Sequence, residues 1–202
     1  ALKYDKNDAA AHMNLGIIYY KKGLIDDAIK EYKRAIKCKP DLIGAYNNLG
    51  NIYLEKKQID KAIEEYQLAI KIKPEEAKIH NNLGHAYLKK NNFDSAMNEY
   101  SLAIKYKPDL AEAYYQIAYI YYERNKFENA INKCKKAITY KPDYGEAHFL
   151  LGQSFYEKGE IDKATDEYKL AVKFKPDLAE AHTNLGKSYM DKGKIDEAMD
   201  EY

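Results

Sequence analysis

Residues 40–74 read PDLIGAYNNLGNIYLEKKQIDKAIEEYQLAIKIKP, and the interval between the two prolines decides the fold. Pro40, Pro74, Pro108, Pro142 and Pro176 stand 34 residues apart and are all the prolines of the chain. Leu15, Leu49, Leu83, Ile117, Leu151 and Leu185 keep the same step, as do Ala28, Ala62, Ala96, Ala130, Ala164 and Ala198. Gly16, Gly50, Gly84, Gly152 and Gly186 follow the leucines, with Ala118 standing in once. A fixed period of this length marks stacked supersecondary units, each too small to bury its apolar face alone.

Within the quoted unit the apolar spacing is helical twice over. Tyr46, Leu49, Gly50 and Tyr53 fall at i, i+3, i+4 and i+7, and Ile59, Ala62, Ile63, Tyr66, Ala69 and Ile70 repeat the rhythm. The break between the two runs carries Gly23 or Gly159 in other units, where glycine can take the left-handed conformation that ends a helix. Lys57, Asn91 and Asn125 hold that place in the middle units, and lysine is a poorer choice there than asparagine. At the second break proline prevents continuation, and Asp41, Asp109, Asp143 or Asp177 is expected to cap the next helix. DLAE (109–112 and 177–180) and DYGE (143–146) have the form of capping boxes.

Composition excludes several function classes. The 202 residues are 46% hydrophobic and 32% charged, with 33 Lys+Arg against 32 Asp+Glu, a foldable balance. A net charge of +1 without a Lys/Arg block argues against a dedicated nucleic-acid binder. The charge is uneven: residues 9–144 carry 23 basic and 17 acidic groups, and residues 145–202 carry 8 and 13. No run of 18 apolar residues is present, so no membrane insertion is expected. Cys38 and Cys134 lie three repeats apart, too far for a bridge between stacked hairpins. Free thiols suit a cytoplasmic or other reducing compartment.

The unit resembles the tetratricopeptide repeat (TPR) family, whose 34-residue pattern reads W-x2-L-G-x2-Y, then A-x3-F, then P. Here the match runs Tyr46, Leu49, Gly50, Tyr53, Ala62, Tyr66, Ala69, Pro74. Tryptophan is absent, its place held by His or Tyr, and Cys134 replaces the late aromatic residue of the fourth unit. The resemblance implies an all-α fold, an α-solenoid winding as a right-handed superhelix of about six helix-turn-helix units. The expected units are 9–42, 43–76, 77–110, 111–144, 145–178 and a truncated 179–202, with residues 1–8 as the end of a preceding repeat helix.

The stretch AYYQIAYIYY (113–122) separates scaffold from surface. Tyr114, Ile117, Ala118 and Tyr121 occupy the packing positions, whereas Tyr115, Tyr119 and Tyr122 form another stripe on the same helix. Equivalent residues of that stripe differ from unit to unit: Met13, Ile17 and Tyr20; Asn47, Asn51 and Leu54; Asn81, His85 and Leu88; Phe149, Gln153 and Tyr156; Thr183, Lys187 and Met190. In the family this stripe faces a concave groove that holds peptides or helices, so the resemblance implies a partner-binding groove along it. Asn14, Asn48, Asn82 and Asn184, interrupted by Gln116 and Leu150, resemble the asparagine ladder of O-GlcNAc transferase repeats. The same amides could equally bridge neighbouring helices. Glu112, Glu146 and Glu180, with Glu123, Glu157 and Asp191, could favour a basic partner, unless the first three serve only as capping residues. The family's carboxylate clamp for chaperone tails is not matched: Asn51 and Asn82 fit, but Asn47, Glu112 and Gln116 stand where basic residues are required.

No catalytic motif, cofactor motif or metal-ligand spacing is present, and His12, His80, His148 and His182 recur at a packing position. The leading expectation is therefore a non-catalytic protein-interaction scaffold. Two alternatives stand beside it. One is a structural protein that self-associates head to tail, motivated by the oppositely charged halves and the incomplete terminal helices. The other is the targeting region of a larger enzyme such as an O-GlcNAc transferase-like protein.

Overall fold

The computed structural model describes residues 8–202, so the expectation for residues 1–8 lies almost wholly outside the described residues. Those residues form twelve helices and no strand. They divide into two compact units. The first contains α1 (Ala9–Lys21), α2 (Ile25–Cys38), α3 (Ile43–Glu55), α4 (Ile59–Ile72), α5 (Ala77–Lys89) and α6 (Phe93–Tyr106). The second contains α7 (Ala111–Glu123), α8 (Phe127–Tyr140), α9 (Gly145–Glu157), α10 (Ile161–Phe174), α11 (Ala179–Asp191) and α12 (Ile195–Glu201). Odd-numbered helices are the first of each hairpin and even-numbered helices the second. Each packs on its chain neighbours within its unit, and first helices also meet directly, α3 against α5 and α7 against α9.

The hairpin turns are alike in all six pairs. After α1, Gly23 has φ 75°, its N–H bonds the Tyr20 carbonyl at 2.9 Å and the next N–H, of Leu24, bonds the Tyr19 carbonyl at 2.9 Å. This pairing satisfies two carbonyls at the helix end. Lys57, Asn91 and Asn125 take the same left-handed conformation, with φ of 59°, 57° and 55°. The geometry is thus set by the neighbours and holds even where a lysine must adopt it.

The proline corners differ from the sequence expectation. Asp41, Asp109, Asp143 and Asp177 do not cap. The N-caps are Leu42, Leu110, Tyr144 and Leu178, none with a side-chain cap bond. The reason lies in the turn: the N–H of the residue after Asp bonds the carbonyl of the lysine before Pro, as in Leu42 to Lys39 at 3.2 Å and Leu178 to Lys175 at 3.1 Å. Proline and aspartate are consumed as the two central residues of a β-turn, where both are favoured. The capping boxes are therefore not formed. A side-chain cap occurs at the one first helix with an aspartate a residue later in register: Asp8 Oδ1 accepts from Ala10 N at 2.8 Å and Ala11 N at 3.1 Å.

Two contacts repeat through the core. The helical glycine of each first helix lies against the late tyrosine of its partner. A Cβ added at Gly84 would sit 2.7 Å from Cε1 of Tyr100, and at Gly152 it would sit 2.7 Å from Cδ1 of Tyr168. Glycine there serves close approach: it lets the tyrosine ring come up against a bare helix backbone, and Tyr32, Tyr66, Tyr100 and Tyr168 are all buried. Each such ring contributes roughly 1.5–3 kcal/mol by burial. In the fourth hairpin both partners change together, to Ala118 and Cys134, and both remain fully buried. The two departures from the repeat pattern are one compensated change.

The second contact pins the corners. His80 places Nδ1 2.6 Å from Glu99 Oε2 and Nε2 2.8 Å from the Pro74 carbonyl. His148 does the same with Glu167 and Pro142, at 2.7 and 3.0 Å, and His182 with Glu201 and Pro176, at 2.7 and 3.1 Å. His12 pairs with Glu31 at 2.6 Å. Where tyrosine replaces histidine, the Tyr46 hydroxyl donates to the Pro40 carbonyl at 3.1 Å, and Lys133 lies 5.8 Å over the Tyr114 ring in place of the acid. His80, His148 and His182 thus tie first helix, second helix and corner together at this position.

Candidate functional site

The variable stripe of the first helices falls on their half-buried face, and its residues divide into those already committed to the fold and those left open. In the first unit the asparagines are mostly committed. Asn82 Nδ2 donates to Asn47 Oδ1 at 2.8 Å and approaches Asn51 Oδ1 at 3.3 Å, and the Tyr66 hydroxyl donates to Asn51 Oδ1 at 2.7 Å. Asn48 hydrogen-bonds the Tyr32 hydroxyl. Asn47 is 8% exposed, so its amide is a bridge between α3 and α5 and not a free surface group. Asn14 is exposed, and the His85 ring meets Tyr100 edge-on at 5.5 Å.

What remains open in this unit is a cavity of about 640 Å³. Its lining combines the polar groups of Tyr32, Asn48 and Asn51 with the apolar Ile17 and Leu54 and the charged Lys21, Glu55 and Lys89. The Tyr20 hydroxyl donates to Glu55 across two successive first helices. A lining of mixed polar and apolar groups suits a chain segment that offers both backbone amides and apolar side chains.

In the second unit the stripe is aromatic. Tyr115 packs on Tyr144 at 5.2 Å, Tyr122 meets Phe127 edge-on at 5.6 Å, and Phe149 lies 5.9 Å from Tyr168. Burial, with the charge of Glu146, pushes the Tyr115 hydroxyl up to about 12, and burial likewise raises Tyr119 and Tyr122. All three phenols are therefore neutral at physiological pH, and the carboxylates set the sign of this face. Tyr119 and Gln116 are half-buried. The Tyr156 hydroxyl donates to Asp191 at 2.6 Å, and Lys187 lies 4.5 Å over its ring.

Two cavities open along this stripe and share Gln153 and Asn184. The larger, about 520 Å³, is lined by Tyr115 from α7, Glu146 and Phe149 from α9, and Leu178, Glu180 and Thr183 around α11. The smaller, about 120 Å³, is polar and lined by Tyr122, Tyr156, Glu157, Tyr168 and Lys187. The structure so brings together Tyr115, Tyr122, Phe149, Gln153 and Tyr156 around adjoining cavities, and leaves Asn14, Gln116 and Tyr119 outside their linings. Ile17 and Tyr20 of the stripe, Asn184 of the asparagine row, and Glu146 and Glu180 of the acidic set line cavities as well. Their signal was register: each occupies a position equivalent to a groove residue or its neighbour in another unit.

Among the described residues no group of three or more His, Cys, Asp and Glu is placed to hold a metal, and no helix is long and apolar enough to cross a membrane. Cys38 and Cys134 are free thiols, and burial pushes the Cys134 thiol well above its ordinary range.

The sequence model of the TPR repeat family matches residues 18–57, 50–91, 84–123, 118–159 and 152–193, and the chain belongs to that family. No curated protein matches the sequence. A crystal structure of MamA is similar at 26% identity, covering 85% of this chain and 94% of that one with a TM-score of 0.73. The pilF protein of Pseudomonas aeruginosa is 17% identical over 96% of this chain and 88% of its own, with a TM-score of 0.86. YrrB, described as a TPR protein with an unusual peptide-binding site, is 19% identical over 89% of this chain and 93% of its own, with a TM-score of 0.71. At these last two identities the likeness is one of fold.

Proposed function

We propose that the chain is a non-catalytic interaction scaffold that holds an extended peptide segment along the faces of its first helices. The observation that carries this reading is the pair of adjoining cavities on α7, α9 and α11, both lined by the side-chain amides of Gln153 and Asn184. Each amide offers a donor and an acceptor, which is what the backbone of an extended segment requires. Aromatic rings on either side supply contact area at low conformational cost. The described peptide-binding site of YrrB, on the same fold, is consistent with such use.

Phage-displayed peptides selected on the intact chain test the reading. Gln153→Trp fills the junction of the two cavities from a half-buried position. Peptides selected on the unaltered chain are expected to bind this variant at least about 10-fold more weakly, a loss of about 1.4 kcal/mol, while its circular dichroism and melting temperature stay close to those of the parent. Undiminished binding by the variant contradicts the groove assignment.

A further inference from the structure

The larger cavity of the second unit is lined by two carboxylates, Glu146 and Glu180, and by no cation. The cavity of the first unit has the opposite balance, with Lys21 and Lys89 beside Glu55. We propose, building on the groove reading above, that the second unit selects an extended basic segment, taking a lysine or arginine side chain over Phe149 and Tyr115 with Glu180 as its counter-ion.

The chain's own lysines already show what this wall accepts. Lys175 Nζ bonds Glu146 at 2.6 Å, and Lys141 Nζ lies 4.5 Å over the Tyr144 ring that packs on Tyr115. One acid of the cavity lining and a ring packed on that lining are thus both occupied by ammonium groups from within the protein. Elsewhere on the wall the same two features recur: among the described residues no lysine lies over the Phe149 ring, and Glu180, exposed on the first turn of α11, has no cation within ion-pair distance, although Lys175 feels its charge. A ligand cation completes the pattern, gaining ring attraction and a carboxylate at once. Gln153 and Asn184 then lie where the segment's backbone passes toward the smaller cavity, whose Lys187 and Glu157 favour no further net charge. A net charge of +1 for the whole chain means that a basic segment is not drawn to the protein indiscriminately.

Fluorescence anisotropy with three labelled octapeptides of alternating sequence, Arg-Ala, Ser-Ala and Glu-Ala, tests the proposal on the intact chain and on Glu180→Gln, Glu180→Lys and Gln153→Trp. The Arg-Ala peptide is expected to bind at least about 10-fold tighter than Ser-Ala, with Glu-Ala weakest. Glu180→Gln is expected to lower Arg-Ala affinity about 3-fold to 10-fold, and Glu180→Lys to lower it further and to reverse the order of the basic and acidic peptides. Affinity is expected to fall with salt, as screening requires. Equal binding of Arg-Ala and Ser-Ala, both lost in Gln153→Trp, overturns the charge selection and leaves the groove reading standing. Arg-Ala binding indifferent to Glu180→Lys overturns the proposal by placing the peptide elsewhere. Absence of binding by all three overturns it as well, and phage selection then decides the groove reading separately.

Discussion

Gly84→Ala lowers stability by up to about 2 kcal/mol although alanine is the better helix former. Alanine gains about 1 kcal/mol of helix propensity over glycine, while overpacking a filled core costs about 1–3 kcal/mol. The new methyl would lie 2.7 Å from Cε1 and 2.8 Å from Cδ1 of Tyr100, a ring that is fully buried and has little room to withdraw. Tyr100→Cys alone costs about 3–4 kcal/mol, in the range for truncating a buried aromatic residue. The pair Ala118 and Cys134 shows that the two changes fit one another, so the double variant Gly84→Ala, Tyr100→Cys is expected to lose about 1–2 kcal/mol less than the sum of the single losses. Urea unfolding of the four proteins gives the coupling energy directly. Additivity within about 0.3 kcal/mol, the behaviour of independent sites, would remove the glycine–tyrosine contact as the device that sets hairpin spacing.

The second large effect is a stability that declines with rising pH. Both ring nitrogens of His80 face oxygen acceptors, Glu99 and the Pro74 carbonyl, and both can donate only when the ring is an imidazolium. The groups packed around it are Glu99 and the Tyr106 ring at 5.5 Å; those around His148 are Glu167 and the Phe174 ring at 5.4 Å. Burial is the largest single influence and opposes the charge. The hydrogen bonds to carboxylate and carbonyl, with the carboxylate's charge, outweigh it and raise both imidazoles above their ordinary range. A raised folded-state value means that the folded chain holds the proton more tightly than the unfolded one. The stabilisation is therefore complete below the ordinary imidazole value of about 6.5 and is lost as pH climbs through the raised value. Melting temperature is expected to fall between pH 6 and pH 9, at about 2–4 °C for each 1 kcal/mol lost. His80→Ala is expected to cost about 3 kcal/mol at pH 6, because it leaves a partly buried carboxylate without its partner. The double variant His80→Tyr, His148→Tyr copies the arrangement of Tyr46, which reaches its corner carbonyl through a hydroxyl that does not titrate in this interval, and is expected to flatten the profile. A melting temperature that rises over the same interval in the parent contradicts the imidazolium assignment.

Periodicity made the hairpins legible, because every unit repeats the same apolar spacing and the same corner. It misjudged what aspartate does at that corner. Asp109 followed by Glu112 has the spacing of a capping box, and only the backbone bond from Leu110 to Lys107 reveals that aspartate is spent on a turn. It also overlooked one core row. Ile52, Ala86, Ile120, Ser154 and Ser188 share a register position and are all buried, yet serine does not read as apolar. Ser154 and Ser188 are accommodated by bonding helix carbonyls, Leu150 at 2.8 Å and Leu185 at 2.8 Å. For the groove, the stripe was legible as variation between units, but its division into committed and open residues was not. Asn47 and Gln153 look alike in sequence, and contact with Asn82 is what takes Asn47 out of the surface. The histidines illustrate a third limit. Their recurrence spoke for packing, whereas the glutamate nineteen residues on from each was visible only once the second helix was folded back.

The most direct measurement is nuclear magnetic resonance of the side-chain amides while a selected peptide is titrated. The cavities lie on first helices, so the resonances of Gln153 and Asn184 are expected to shift progressively with peptide. Those of Asn129 and Asn132, exposed on the second helix α8, are expected to stay in place. Shifts at Asn129 and Asn132 with Gln153 and Asn184 unmoved would put the bound segment on the opposite helices and contradict the account.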